Sequence, residues 1–234
     1  PLVGLFNRYN LAAAASLLQG EFSFDVHKIQ PVLDSFTASF GRQEVVLYNG
    51  RETIVQLSKN PTGFNQSIHV VREYAADHKH ALVILNDRIP DGRDISWIWD
   101  TNFEQLLHSA EEITLTGDRA YDLGIRFMYA LGPDTKVRPV MSKMVRLNHL
   151  QAYPENLGVD LGGIVSPDAH SAGQVVELVS SNKDMPRIRV VPTLVAALES
   201  AAGETPKNGV LFVLPTYSGM LDVRRLLTGE AISV

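Results

Sequence analysis

The chain contains no cysteine, which excludes disulfides, cysteine nucleophiles and thiolate metal sites within it. No stretch approaches the ~18 consecutive apolar residues of a membrane-spanning helix. The first residues do not read as a charged-then-apolar leader. No long basic run occurs, and 21 Lys and Arg stand against 26 Asp and Glu for a formal net charge of -5. That balance argues against nucleic-acid binding, which relies on clustered positive charge. The G-x-x-x-x-G-K-[ST] phosphate loop is missing, as are internal repeats and any low-complexity tract beyond the short run Ala12 to Ala15. What remains is ordinary for a folded globular chain: 45% hydrophobic and 20% charged residues over 234 positions. That length suits one large or two small domains with a real core, and the composition fits a cytoplasmic protein.

The most informative stretch is Leu82 to Asp100. It opens as the apolar run Leu82-Val83-Ile84-Leu85, the pattern of a buried parallel strand. It then breaks into the turn residues Asn86, Asp87, Pro90, Asp91, Gly92 and Asp94 and closes on Ser96-Trp97-Ile98-Trp99. Acids just past a strand end lie where open α/β sheets place their ligands.

The rest of the chain reads as strands alternating with helices. The alanine-leucine run after Asn10 predicts a first helix, and Asp25 to about Phe36 a second, limited or kinked by Pro31. Gln43 to Leu47 and Glu52 to Leu57 flank Asn49-Gly50, a strong hairpin signal. An amphipathic helix through Ser67, Val70, Val71 and Tyr74 precedes the strand at Leu82, and another helix is expected from Trp97 to His108. Glu112 to Thr116 reads as a strand and Arg119 to Leu131 as a helix. Arg187 to Val191, Thr193 to Ala202, Val210 to Leu214 and Tyr217 to Leu227 continue the alternation. Such a pattern predicts a doubly wound, mostly parallel sheet. Residues 133–186 break the rhythm and read as an insertion, with Val175 to Ser180 helical in pattern; His149 and His170 fall within it.

Several clusters carry a functional reading beside a purely structural one. Asn7 and Asn10, three apart on one helical face, either cap a helix or offer amides to a nucleotide. Arg42, entering a strand, is either a plain surface residue or a fork for phosphate. Lys59-Asn60-Pro61-Thr62-Gly63 is either a loop or an anion-binding corner at a helix start. Asp87, Asp91, Asp94 and Asp100 either shape a turn, with Asp94 as a cap, or bind Mg²⁺ or orient a histidine. The last role needs a nucleophile, so the histidine it orients would belong to another chain. Leu214 to Met220 either packs a terminal helix or forms a second wall of the same cleft.

Together these stretches resemble the Mur ligases. Phe6-Asn7-Arg8-Tyr9-Asn10 with the following alanines is similar to their F-N-x-Y-N-x-x-A-A hinge between the central ATPase domain and the C-terminal domain. Lys59-Asn60-Pro61-Thr62-Gly63-Phe64-Asn65 resembles the K-N-P-A-G-x-N loop of the MurT branch. Leu85-Asn86-Asp87 with Asp91-Gly92-Arg93-Asp94-Ile95-Ser96-Trp97-Ile98-Trp99-Asp100 resembles that branch's L-N-D-x-x-x-D-G-R-D-x-S-W-I-x-D. The resemblance covers roughly residues 1–132 and 187–227.

The resemblance implies a Rossmann-like Mur ligase C-terminal domain over 41–234, preceded in 1–40 by a helical hinge and the end of a central domain. It also implies a glutamine-hydrolysing carbon–nitrogen ligase subunit of peptidoglycan biosynthesis that is inactive alone. MurT-type subunits use ATP with Mg²⁺ to activate the D-isoglutamate α-carboxylate of lipid II, as an acyl phosphate. A partner glutaminase of the GatD type supplies ammonia and forms the heterodimer, on the inner face of a bacterial membrane. The second aspartate of D-G-R-D, Asp94 here, then completes the partner's Cys–His pair. Asn7, Asn10, Arg42 and Lys59 match nucleotide-facing positions, with Asn60, Asn65, Asp87 and Asp91 as substrate or loop candidates; no metal or zinc ligands are expected in this chain. The departures are Ser58 where Mur ligases often carry aspartate, Thr62 for alanine, Arg88-Ile89-Pro90 in place of small residues, and the unplaced insertion. The missing phosphate loop and zinc ribbon suggest the C-terminal portion of a larger subunit. Two rivals remain: a fragment of another Mur-type or folylpolyglutamate synthase-like ligase, and a non-catalytic docking module anchored by Trp97 and Trp99.

Overall fold

The computed structural model describes residues 5–35, 41–140 and 174–228. Helix α1 (Leu5–Phe22) leads through a 3₁₀ turn (Val26–Lys28) into α2 (Ile29–Asp34). Strands β1 (Arg42–Tyr48) and β2 (Arg51–Gln56) follow, then α3 (Pro61–Glu73), β3 (Lys79–Ile84), a 3₁₀ turn (Ser96–Asp100), α4 (Phe103–Leu107) and β4 (Glu112–Thr116). Next come α5 (Ala120–Leu131), β5 (Lys136–Pro139), β6 (Val176–Val179), β7 (Arg187–Val190), α6 (Leu194–Glu204), β8 (Val210–Pro215) and α7 (Tyr217–Thr228).

The strands form one eight-stranded sheet in the order β1-β2-β8-β3-β4-β7-β6-β5. The central strands β2, β8, β3, β4 and β7 are parallel. β1 closes one side as an antiparallel hairpin, turning on Asn49 and Gly50, both at positive φ. This is the two-residue turn in which both central positions are left-handed, which Asn-Gly tolerates.

Alternation along the central strands sorts the core into two layers. Ala81, Val83 and Leu85 of the β3 run, with Phe212 and Leu214 of β8, meet α3, α4 and α5. Leu82, Ile84, Leu211 and Val213 point the other way, against α6 and α7. Strands covered on both faces become continuous apolar runs, which is why β3 and β8 are so plain in the sequence. Phe103 is the hub of the first layer, its ring centroid 5.7 Å from Phe64 and 4.8 Å from Phe127. α1 stays outside these layers: its main packing partner is the neighbouring 3₁₀ turn, and Tyr9, Leu17 and Phe22 are exposed.

Three local expectations are corrected. The segment expected to be a helix at Val175 to Ser180 is β6, antiparallel to both β7 and β5. Its Leu178 is buried in the first layer, so tertiary pairing overrides a short apolar run that reads as either state. The expected helix from Trp97 to His108 is interrupted at Thr101-Asn102, giving a 3₁₀ turn and a short α4. Asp25 to Phe36 likewise divides into a 3₁₀ turn and α2. The insertion therefore contributes β5 and β6 to the sheet, whereas His149 and His170 lie outside the described residues.

At the amino ends of the strands, on the α6 face, a polar row ties β3, β4, β7 and α6 together. Arg189 donates to Glu204 and reaches Glu112 at 3.4 Å, while Arg187 bridges Glu177 at 2.7 Å and Glu112 at 3.6 Å. Glu112 is pushed up to about 7, by burial first and then by the hydrogen bond to Glu204 and its charge. Burial also works to raise Glu204, but the Glu112 hydrogen bond and Arg189 outweigh it and leave that carboxyl low. His80, buried beside them, is pushed down mainly by its burial. A carboxyl raised on folding contributes stability that is complete below its ordinary value near 4.5 and is lost as pH rises through about 7. Urea unfolding from about pH 5 to about pH 8 should therefore show wild type losing stability relative to Glu112→Gln as pH rises. The difference between the two proteins isolates Glu112 from His80.

Candidate functional site

The parallel strands bring their carboxyl ends, with the loops that follow, to one edge of the sheet. The chain leaves β3 towards the α4 layer but leaves its neighbour β8 towards α7, in the opposite layer. Adjacent strands whose loops diverge in this way open the crevice where doubly wound sheets bind ligands. The antiparallel hairpin adds Arg42 to the same edge, since Arg42 lies opposite Gln56 at the end of β2. Lys59 follows three residues later, and both side chains are exposed.

Between β3 and β8 the crevice holds a buried polar network. The Asn86 backbone N–H donates to Thr216 Oγ1 (3.1 Å), and its side-chain amide donates to Ser218 Oγ (2.9 Å). Asn86 Oδ1 accepts from the Asp118 N–H (2.9 Å), joining the β4–α5 turn. Asp91, also buried, accepts from the Ser218 N–H (2.8 Å) and from its hydroxyl (2.5 Å). Ser218 lies in the first turn of α7, so the carboxylate meets the positive end of that helix as well as two donors. The anion site at this helix start is thus filled by the protein's own loop.

Above the network, Arg88 donates to Asp118 (2.8 Å) and to Asp222 of α7 (2.7 Å). Arg119 joins Asp87 (3.1 Å) to Asp122 (2.8 Å). Two glycines make this closeness possible. Gly219 lets α7 approach β3, where a Cβ would lie 2.8 Å from Ile84 Cγ2. Gly117, at φ +106°, packs against the Leu85 carbonyl and within 2.7 Å of Asn86 Oδ1 as measured from an ideal Cβ.

The loop ends on Asp94, whose exposed carboxylate accepts from the Ser96 N–H at 2.8 Å. That hydrogen bond holds the carboxyl below its usual range, so it is ionised near neutral pH. Beyond it the 3₁₀ turn is fastened from beneath by buried Arg126, which donates to the carbonyls of Ile98 (3.2 Å) and Thr101 (2.7 Å) and pairs with Glu104 (2.9 Å). Trp97 packs inward on Phe64 at 5.4 Å. Trp99 stays half exposed, edge-on to Tyr129 at 5.2 Å.

Residues 57–157, which include this loop, match the family model described as MurT ligase C-terminal. Over those residues the chain is similar to the MurT ligase C-terminal domain. It is 35% identical over 130 residues to the lipid II isoglutaminyl synthase (glutamine-hydrolyzing) subunit MurT of Staphylococcus aureus, a match over 55% of this chain and 29% of that protein. The Streptococcus pneumoniae subunit of the same name is 35% identical over 136 residues, 57% of this chain and 30% of its own length. The matched region thus spans under a third of the length of these curated relatives. Solved structures show the Mur ligase fold. A Mycobacterium tuberculosis folylpolyglutamate synthase complexed with ADP and AMPPCP superposes with a TM-score of 0.55 over 99% of this chain and 42% of its own, at 13% identity. The UDP-N-acetylmuramate-alanine ligase MurC of Thermotoga maritima gives 0.53 over 98% and 39%, also at 13% identity.

The structure gives Arg42, Lys59, Asn60, Asn65, Asp87, Asp91 and Asp94 different local surroundings. Asn60 caps α3, accepting from the Gly63 N–H at 2.7 Å. Asn65 accepts from the Asn102 N–H at 2.8 Å and ties α3 to the start of α4. Asp87 is half-buried and ion-paired, Asp91 is inside the network, and Asp94 and Asp100 face solvent. Asn7 and Asn10 lie on α1, whose main packing partner is the neighbouring 3₁₀ turn. The sequence reading missed Asn86, Ser218 and Arg88 as organising residues. Only the position of Asn86, at a strand's end, hinted at its role.

Nucleotide chemistry suits part of this edge. Arg42 and Lys59 place exposed cations on neighbouring segments, where a phosphate could meet both. Asn60 already satisfies one amide of the α3 start, so that corner offers fewer free donors than its sequence suggests. Among the described residues no cluster of three or more His, Asp or Glu side chains is arranged to hold a metal ion.

A Cβ at position 117 would meet backbone, which cannot step aside, in a conformation that L-residues rarely adopt. Gly117→Ala should therefore destabilise the domain by about 2–4 kcal/mol, measured by urea unfolding.

Proposed function

We propose that this chain forms the C-terminal domain of an ATP-dependent ligase subunit that amidates the D-isoglutamate α-carboxylate of lipid II to D-isoglutamine. Ammonia comes from a glutaminase partner of the GatD type, and Asp94 completes that partner's Cys–His pair. The observation that carries this reading is the Asp94 carboxylate: exposed, ionised, and presented on a loop whose flanking residues are fixed in the crevice. Two facts support it. The chain has no cysteine of its own, so a cysteine nucleophile served by this acid would not come from these residues. The two curated relatives that match this chain are named as glutamine-hydrolyzing synthase subunits.

In this reading residues 1–40 are the hinge and the end of a central ATPase domain, and 41–234 are the C-terminal domain. ATP supplies the phosphoryl group that activates the carboxylate. Arg42 and Lys59 hold phosphate charge at the sheet edge, with Asn7 and Asn10 reaching the nucleotide from the hinge. Asp94 accepts the N–H of the partner's imidazole, fixing its tautomer and stabilising the imidazolium as the thiol loses its proton. The subunit works at the inner face of a bacterial membrane, where its lipid-linked substrate resides.

A docking role alone is a second reading, favoured by Trp99 and Tyr129, half to three-quarters exposed side by side. Aromatic residues of this kind anchor protein interfaces. The two readings separate on one variant. In the complex of the complete subunits, Asp94→Asn should cut glutamine hydrolysis by about 10⁴ and leave ATP binding and partner affinity intact. Hydrolysis that survives the substitution, with partner binding retained, selects the docking reading.

A further inference from the structure

We infer that Asp91 and Ser218, assisted by Arg88, are positioning residues for Asp94: they lock the loop so that its exposed carboxylate has one orientation before a partner arrives. The inference rests on the reading of Asp94 given above and extends it to residues that never touch the partner's reacting groups.

The loop between β3 and the 3₁₀ turn has no regular secondary structure, yet it is pinned at both ends and in the middle. At its start, Asn86 is held by Thr216, Ser218 and the Asp118 amide. In the middle, Asp91 sits on Ser218, and a tight turn forms as the Asp91 and Gly92 N–H groups donate to the Arg88 carbonyl at 2.8 and 3.2 Å. At its end, Ile98 is buried and its carbonyl is held by Arg126. Asp94 lies between Asp91 and Ile98, the two nearest buried side chains, so its freedom is set by how firmly those two are held.

The two braces differ in weight. Arg88 is about half exposed, and its pairs with Asp118 and Asp222 are screened by solvent. Asp91 is buried, and its carboxylate takes both donors of one residue at a helix start, where charge-assisted bonds are strong and an unpaired partner is costly. Asp91 is therefore the main brace and Arg88 the lesser one. Loss of the Asp91 carboxylate would free the residues between Leu85 and Ile95 while leaving the β-sheet beneath intact. A carboxylate that must meet an imidazole in one geometry works only when supporting contacts lock it, and displacement by about 1 Å can cost roughly a hundredfold in rate.

The test uses the complex of the complete ligase subunit with its glutaminase. The kcat and KM for glutamine hydrolysis and the Kd between subunits are measured for Asp94→Asn, Asp91→Ala, Asp91→Asn, Ser218→Ala and Arg88→Ala. Asp91→Ala and Ser218→Ala should lower kcat by about ten- to a hundredfold while KM and Kd stay near wild type. Arg88→Ala should do less. Asp91→Asn should recover most of the rate, because its amide oxygen still accepts the Ser218 N–H and its NH2 can donate to the Ser218 hydroxyl oxygen, so both contacts with Ser218 are kept. A wild-type kcat in Asp91→Ala beside an inactive Asp94→Asn overturns the inference and leaves the Asp94 reading standing. Should Asp91→Ala not fold, Ser218→Ala decides in the same way. A raised Kd with kcat restored at saturating partner also overturns it, since the loop would then act in docking alone. Full hydrolysis in Asp94→Asn overturns the reading itself.

Discussion

A carboxylate buried against the first turn of α7 is the contact on which this edge of the molecule depends. Asp91 takes both donors of Ser218, and Ser218 in turn accepts from Asn86. Burying such groups is costly unless every one finds a partner, and here each bond closes a gap left by another. The consequence is mechanical. The loop after β3 is fused to the start of the last helix, and the Asp118 turn is fused to both through Asn86. A crevice that in other doubly wound sheets admits a ligand is here partly filled by the loop that carries the exposed Asp94.

The two-layered core makes that arrangement possible. Strands β3 and β8 are apolar on both faces, so they sit side by side in the middle of the sheet with helices above and below. Their loops leave in opposite directions, and the polar residues at their ends meet across the gap. The outer strands serve other purposes. The β1–β2 hairpin brings Arg42 round to the edge shared with Lys59, and β6 and β5 extend the sheet on the far side. The charges at the amino ends, from His80 to Glu204, hold that far side to the parallel centre.

The same residues look different when judged by their contacts. Asn60, Asn65, Asp87 and Asp91 belong to a motif that carries the MurT resemblance, and each one is engaged in holding the loop or a helix end. A motif can thus mark a site because it builds the frame, with few of its members facing outward. Asp94, like Asp100, faces solvent, and its carboxylate accepts from the Ser96 amide. Arg88 finds two acidic partners distant in sequence, Asp118 and Asp222, which tie the loop to neighbouring elements.

Much of the fold was determined by sequence alone, because its signals are local. Asn49-Gly50 fixes a hairpin through backbone preference, Asn60-Pro61 starts a helix, and the runs at Leu82 and Val210 are buried by hydrophobicity. These preferences act over a few residues and survive in any context. What only the tertiary structure decided depends on partners far along the chain. Val176 to Val179 became a strand because β7 offered an unpaired edge. Trp97 to His108 broke in two because Arg126, more than twenty residues on, takes the carbonyls of Ile98 and Thr101. Which of the loop's acids would be buried and which left facing solvent was settled by Ser218, 127 residues from Asp91. No local pattern encodes that distance: a carboxylate reads the same in sequence whether it meets a helix start or water.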